Sequence, residues 1–293
     1  MIGRRDLLKV TGGLVAAQAL VPAPAMARAL FREVPSLDPV TTAMRMRGSA
    51  DGALTMSYLD AVREIMLDGE ITPFCKLQAF VVARYVPVGD VFEAQIIEVA
   101  YYTDFETNEQ LTSFKFPGQT EAVSVPKYRT GPIKVRFANT LDEWEDVNPG
   151  KAGEASANFA PRSRVRLQRS VKTPTIEGDK LFIRTNEYGR AYVNGAKSPS
   201  VFYREWIIYE AETSDIYASD APSIPATYSY SAMSSFRPWM KLEGRTGHTA
   251  ENGRGRKIWS PAELPPEIYS LVEKHDPDLL KEPEAALSRT LAR

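Results

Sequence analysis

The segment from Ser234 to Trp259, SSFRPWMKLEGRTGHTAENGRGRKIW, concentrates side chains able to do chemistry. It holds Trp239 and Trp259, two of four tryptophans, and His248, one of two histidines. Between Arg237 and Lys257 stand Arg237, Lys241, Arg245, Arg254, Arg256 and Lys257 against Glu243 and Glu251, a local net of +4 in a chain at −1. Just upstream, Tyr228, Tyr230 and Ala232 alternate with Ser229, Ser231 and Met233, as on a strand. A tyrosine wall leading into Arg237, Trp239 and Lys241 suits a molecule with an apolar or aromatic body and an anionic end. The rings offer flat contact area, and a guanidinium fork grips a carboxylate or phosphate. His248 supplies the imidazole that acid–base chemistry most often uses. The competing reading is plainer: packed aromatic rings followed by a solvated glycine loop.

A second constellation lies in SVFYREWIIYEAE. Strand alternation sends Tyr203, Glu205, Ile207 and Tyr209 to one face and Phe202, Arg204, Trp206 and Ile208 to the other. A carboxylate among tyrosines and isoleucine is expected to hold its proton and to serve as an acid or base. Alternatively, Glu205 pairs with a cation on a neighbouring strand, such as Arg184. In EVAYYTDFETNEQL, Glu98 raises the same expectation, whereas Asp104 reads as turn chemistry. The candidate catalytic residues are therefore His248, Glu205 and Glu98, and the candidate ligand contacts Trp206, Tyr228, Tyr230, Arg237, Trp239 and Lys241.

Other chemistries find no support. Two histidines and one cysteine cannot assemble the usual zinc, iron or copper sites. No phosphate loop, dinucleotide fingerprint, nucleophile elbow, haem motif or calcium loop is present. No cofactor is expected, although a carboxylate-bound metal stays open. Cys75, alone in the apolar run ITPFCKLQAFVV, is expected to be buried and inert. His275, at a predicted helix end, is expected to complement the helix dipole.

The elements that must position these residues read as short strands. Candidates are Phe92–Tyr102, Gln110–Phe116, Ala122–Val125, Ile133–Ala138, Arg164–Val171, Lys180–Thr185 and Val201–Glu210, separated by turn residues. Residues 54–67 fit either a helical face or a strand turning back at Asp68-Gly69. The pattern predicts a mainly β, antiparallel fold, a lipocalin-like closed or partly closed barrel, since closure removes exposed edges. Ser260 as N-cap, Pro261 and Glu263 predict a capped turn. A helix restarting at Pro265-Pro266 and an alanine-rich terminal helix follow it.

The first residues address a compartment. Arg4 and Arg5, a mildly apolar stretch and Ala25-Met26-Ala27 resemble a twin-arginine export signal cleaved after Ala27. The expected division is a signal over 1–27, an arm with a short helix over 28–53, a β-rich domain over 54–259 and a helical segment over 260–293. Without the signal the net charge is about −3, which does not recommend nucleic acid as a partner. No later apolar run reaches the roughly 20 residues of a helical membrane span.

The order EVAYYTDFETNEQL, FYREWIIYEAE, SSFRPWMKLEGRTGH…NGRGRKI and SPAELPPEIYSLV is similar to an uncharacterised family of twin-arginine-exported bacterial proteins. That family is catalogued as a domain of unknown function, with related sequences in photosynthetic eukaryotes. RPWMKL…G is the most specific block. The chain departs where a tryptophan and an Asn-Pro pair are expected, carrying SFKFPGQ instead. The resemblance implies a β-rich, barrel-like domain and supplies no reaction or catalytic residues.

These readings lead to periplasmic binding of an apolar or aromatic small molecule bearing an anionic group, after passage through the twin-arginine translocase. The alternatives are a cofactor-independent lyase, isomerase or hydrolase acting on such a molecule, or an assembly module binding a protein.

Overall fold

The computed structural model describes residues 32–34, 36–138, 145–147, 164–192, 197, 201–217 and 220–288. The predicted signal over 1–27 lies outside them. The strands are β1 (Arg32–Glu33), β2 (Leu54–Leu67), β3 (Glu70–Val88), β4 (Val91–Thr103), β5 (Ser113–Phe114), β6 (Val123–Ser124), β7 (Tyr128–Phe137), β8 (Glu145–Val147), β9 (Arg164–Val171), β10 (Thr175–Glu177), β11 (Lys180–Tyr192), β12 (Val201–Glu212), β13 (Thr227–Ser234) and β14 (Gly247–Ile258). The helices are α1 (Pro39–Arg47), α2 (Thr213–Tyr217), α3 (Pro266–His275), α4 (Asp278–Lys281) and α5 (Pro283–Ser288).

Twelve strands form one antiparallel sheet in the order β1-β10-β11-β12-β13-β14-β2-β3-β4-β7, with β9 on β11 and β8 on β9. The small β5–β6 pair stands apart. The fold is therefore mainly antiparallel β with a few short helices, as expected. The closed barrel is corrected: among the described residues no ladder joins β7 to β8 or β9. Inward side chains of β7 and β9 nevertheless line the same cavity, because strand twist curls the long strands round it.

Residues 54–67 form strand β2. Asp68 and Gly69 have φ of 51° and 91°, the positive values of a two-residue hairpin turn, and this pairing outweighs the weaker helical pattern. The candidate at 110–116 shrinks to Ser113–Phe114 plus a bridge from Gln110 to Thr103, while β11 runs on to Tyr192. Asp104 caps its own turn, its Oδ1 accepting from the backbone of Glu106 and Thr107 at 2.9 Å each.

The largest difference concerns β14, which no strand candidate covered and which the plainer of the two readings took as a glycine loop. Gly255 faces Tyr228, where a Cβ would lie 2.0 Å from the ring. Gly253 lies against Ala61 of β2, where a Cβ would meet its Cβ at 2.4 Å. These glycines admit close neighbours rather than break the strand.

The outer faces of β2–β4 are apolar and covered by the C-terminal helices, Phe80, Ile97 and Val99 packing with Ile268, Leu271 and Val272. The capping box at Ser260 and Glu263 forms as predicted, on a single 3-10 turn. Helix α1, begun by Asp38 accepting from Thr41 N at 2.7 Å, is part of the core through Ala43, Met44 and Met46. Its C-terminus is tied down by buried Lys257, whose Nζ donates to Arg45 O (2.7 Å), Gly48 O (2.9 Å) and Ser223 Oγ (2.9 Å). Cys75 is buried, and burial pushes its thiol up to about 12.

Candidate functional site: a charged cavity inside the curled sheet

Alternation in β4 turns Glu98 inward between Ile96 and Ala100, while Ile97, Val99 and Tyr101 face the helices. Glu98 is the one charge between Ile96 and Tyr102. In β12 the same rule turns Tyr203, Glu205, Ile207 and Tyr209 inward. They meet in a cavity of about 270 Å³, near the lower end of small-molecule sites. Tyr228 and Tyr230 of β13 line it, as does Arg237, which opens the 3-10 turn at Pro238.

The cavity wall is built from tyrosine laid over glycine. Gly189 stands opposite Tyr203, and a Cβ there would come within 1.7 Å of the ring. Gly255 bears the same relation to Tyr228. The rings lie along the wall because glycine leaves them room, and the lumen stays unfilled. Tyr209 and Tyr228 pack at 5.5 Å between centroids. Burial raises the hydroxyls of Tyr128, Tyr203, Tyr209, Tyr228 and Tyr230, so at neutral pH they are uncharged donors.

Four guanidiniums and four carboxylates line this space. Arg63 and Glu251, opposite each other on β2 and β14, form a buried ion pair with Nε to Oε1 at 2.6 Å. Tyr230 donates to the other oxygen of Glu251 at 3.1 Å. Arg169 Nε meets Glu187 Oε2 at 2.5 Å, and Tyr203 donates to Glu187 Oε1 at 2.5 Å. Two carboxylates are thereby held, whereas Glu98 and Glu205 accept no hydrogen bond from a described residue. Burial, then the charges of Glu187 and Glu98, push Glu205 up to about 8. Burial outweighs attraction to Arg47 and pushes Glu98 up to about 7.

Arg47 reaches in from the end of α1, its Nε donating to Tyr85 Oη at 2.7 Å and its guanidinium lying 5.2 Å from the Phe137 ring centre. It makes no carboxylate ion pair with a described residue. Burial and the neighbouring charge of Arg63 lower the pKa of Arg237.

The structure thus gathers Glu98, Glu205, Tyr228, Tyr230 and Arg237 in one place. It does not bring the remaining candidates there. His248 lies on the opposite face of β14 from Glu251, outside the cavity. Trp206 lines a separate outer groove beneath Arg204. Trp239 packs 6.0–6.2 Å from the Phe116, Phe74 and Tyr102 rings, touching the cavity only through Tyr102. Lys241 is exposed. Arg184 sits in the outer groove and does not pair with Glu205. His275 ends α3 beside Tyr101, with centroids 5.8 Å apart.

Sequence reasoning missed Arg47, Arg63, Arg169, Glu187 and Glu251. Glu187 carried a usable signal, since it shares the Leu181, Ile183 and Thr185 face of β11. Glu251 carried none while β14 was read as a loop. Among the described residues no group of three or more His, Cys, Asp or Glu is placed to hold a metal ion.

Over residues 73–290 the chain matches the family model described as a protein of unknown function (DUF1838). No curated protein matches its sequence. Among solved structures it is similar to Ail, the attachment invasion locus protein of Yersinia pestis. That likeness has 8% identity over 71% of this chain and 99% of Ail, with a TM-score of 0.25.

Proposed function

The chain belongs to the DUF1838 family, whose description assigns no activity, and we propose that this member binds a small apolar or aromatic molecule bearing one anionic group. In this reading the curled sheet is a lipocalin-like, partly closed barrel, and export through the N-terminal twin-arginine signal sets the binding in the periplasm. One observation carries the proposal: the charge balance of the cavity. Among the described residues, Glu187 and Glu251 are held in ion pairs by Arg169 and Arg63, Glu98 and Glu205 are pushed toward their neutral forms, and Arg47 forms no ion pair. The Arg47 guanidinium is thus the cation of the lumen that an anionic group would pair with. Tyrosines and aliphatic side chains would take the apolar body.

The test compares naphthoate with its uncharged analogue naphthylmethanol by calorimetry and tyrosine fluorescence. Tight binding of the acid alone is expected. Arg47→Met should weaken it by about 1.5–3 kcal/mol, the worth of a charge-assisted hydrogen bond. Equal affinity for acid and alcohol, or unchanged binding in a folded Arg47→Met variant, overturns the proposal.

A second reading has its own observation. Glu187 and Glu205 stand opposite each other in the β11–β12 ladder with different partners, an arrangement that separates a fixed anion from a proton carrier. Glu205 or Glu98 would then move a proton on a bound substrate in a cofactor-independent isomerase or lyase. His248 has no part in this reading.

A further inference from the structure

The C-terminal helices cover the outer face of β2–β4 only. On β11, β12 and β13, and just past the end of β9, the side chains Lys172, Arg184, Phe202, Arg204, Ser229 and Met233 are exposed. A groove of about 620 Å³ crosses this face, lined by Lys172, Arg184, Arg204, Asn186, Tyr188 and Trp206 among others, and among the described residues no carboxylate lines it. Glu210 and Glu212, further along the same face of β12, are engaged by Lys180. Lys172, Arg184 and Arg204 form no ion pair with a described residue. Apolar side chains border this basic groove. Phe202, two residues from Arg204 on the same face, is 50% exposed, and Met233, opposite Arg204 in the β12–β13 ladder, is 41% exposed.

We propose that this groove and its apolar rim form a docking site for an anionic phospholipid surface. Lys172, Arg184 and Arg204 take headgroup phosphates, and Phe202 and Met233 enter the acyl boundary. The chemistry favours lipid over other polyanions. Single-stranded nucleic acid is held by stacking bases on open aromatic faces. Here the Arg204 guanidinium already lies 3.8 Å above the Trp206 ring and 5.1 Å from that of Tyr188. An acidic protein would pair the cations, yet two exposed apolar side chains beside the exposed Arg204 call for a fluid partner that closes round them. Arginine stems lying along apolar surface with their heads at phosphate level are the usual arrangement at such a boundary. In this proposal the protein lies on the membrane through this face, its exposed apolar side chains reaching the boundary and its cations the headgroups.

The experiment is co-sedimentation of the full chain with vesicles of phosphatidylcholine alone, and with vesicles doped with phosphatidylglycerol, at low and high salt. Binding only to the doped vesicles, weakened by salt, is expected. Each basic side chain near an anionic surface adds roughly fivefold to partitioning, so Arg184→Glu with Arg204→Glu should lose roughly 25-fold or more. Lys172→Glu with Arg184→Glu leaves the Trp206 stack intact and should lose a similar factor, which guards against misfolding of the first variant. Phe202→Ser with Met233→Ser should also lower vesicle binding, and inorganic phosphate should not compete. No preference for doped vesicles, or full binding by folded charge-reversal variants, overturns the proposal. So does competition by phosphate with no loss in the Phe202/Met233 variant, which would mark a free-anion site. Binding of polyglutamate or single-stranded DNA in place of vesicles would do the same.

Discussion

Glu187 and Glu205 are direct cross-strand partners in the β11–β12 ladder, and both face the cavity. Like charges so placed are destabilising. The pair persists because its members differ in surroundings: Arg169 and Tyr203 hold Glu187, while Glu205 forms no ion pair and accepts no hydrogen bond from a described residue and keeps its proton at neutral pH.

Glu98 and Glu205 should therefore make stability fall as pH rises across the neutral range, opposed above about 7 by buried Lys257, whose pKa burial lowers to about 7. Glu98 and Glu205 have folded pKa values raised from 4.5 to about 7 and about 8. Their contribution is fully present below about 4.5, where both are protonated in either state. As pH rises, the unfolded chain releases these protons first, so stability is lost until the folded pKa is passed. The slope approaches roughly 1 kcal/mol per pH unit per group. Urea titrations from pH 5 to about 8 should show the decline, and Glu205→Gln should flatten it and stabilise the protein at the upper end. An unchanged slope in Glu205→Gln would mean that Glu205 ionises normally.

The buried pair Arg63–Glu251 makes a different demand. Removing one partner leaves a charge stranded among Tyr102, Tyr230 and aliphatic side chains. Arg63→Met should cost about 3–5 kcal/mol. Arg63→Met with Glu251→Gln, which strands no charge, should recover most of that loss. Chemical denaturation of the two single variants and the double variant gives the coupling directly. Additive losses would deny the pairing its role.

The tyrosine-on-glycine wall predicts that glycines control the lumen. Gly189→Ala brings a Cβ against Tyr203, and the ring borders the cavity, into which it can be displaced. Overpacking of this kind costs about 1–3 kcal/mol. Naphthoate binding should fall further than stability does, because the displaced ring occupies the site. Adding Tyr203→Leu should restore stability. If Gly189→Ala binds the probe normally, the glycines do not shape the cavity.

This wall also explains what the sequence concealed. Alternation alone placed Glu205, Glu98, Tyr228 and Tyr230 on inward faces, because a strand buried on one side writes its burial pattern into every second residue. β14 resisted that reading: its inward positions include Gly253 and Gly255, so the apolar period vanishes where the neighbours' side chains supply the bulk. With β14 lost, Glu251 and the true face of His248 were lost as well. Trp206 and Trp239 were misplaced for another reason. Ring size attracts functional assignment, yet one ring lies outside the sheet and the other fills an aromatic cluster. Arg47 was beyond reach, since only tertiary packing turns the last residue of α1 into the lumen.

Ligand affinity should share the pH dependence of stability, for the same reason and in the same direction. At low pH Glu98 and Glu205 are neutral, and among the described residues the ionised carboxylates of the cavity are then Glu187 and Glu251, each already held by an arginine. Raising pH through about 7 and about 8 ionises Glu98 and then Glu205, placing up to two further negative charges beside the anionic group. Repulsion across a partly dry lumen of this size weakens binding by roughly tenfold or more. Naphthoate Kd should rise over that window and level off above it, whereas naphthylmethanol stays flat. The double variant Glu98→Gln with Glu205→Gln should keep low-pH affinity throughout. A naphthoate profile equally steep in the double variant would shift the titration to another group and remove these carboxylates from control of the site.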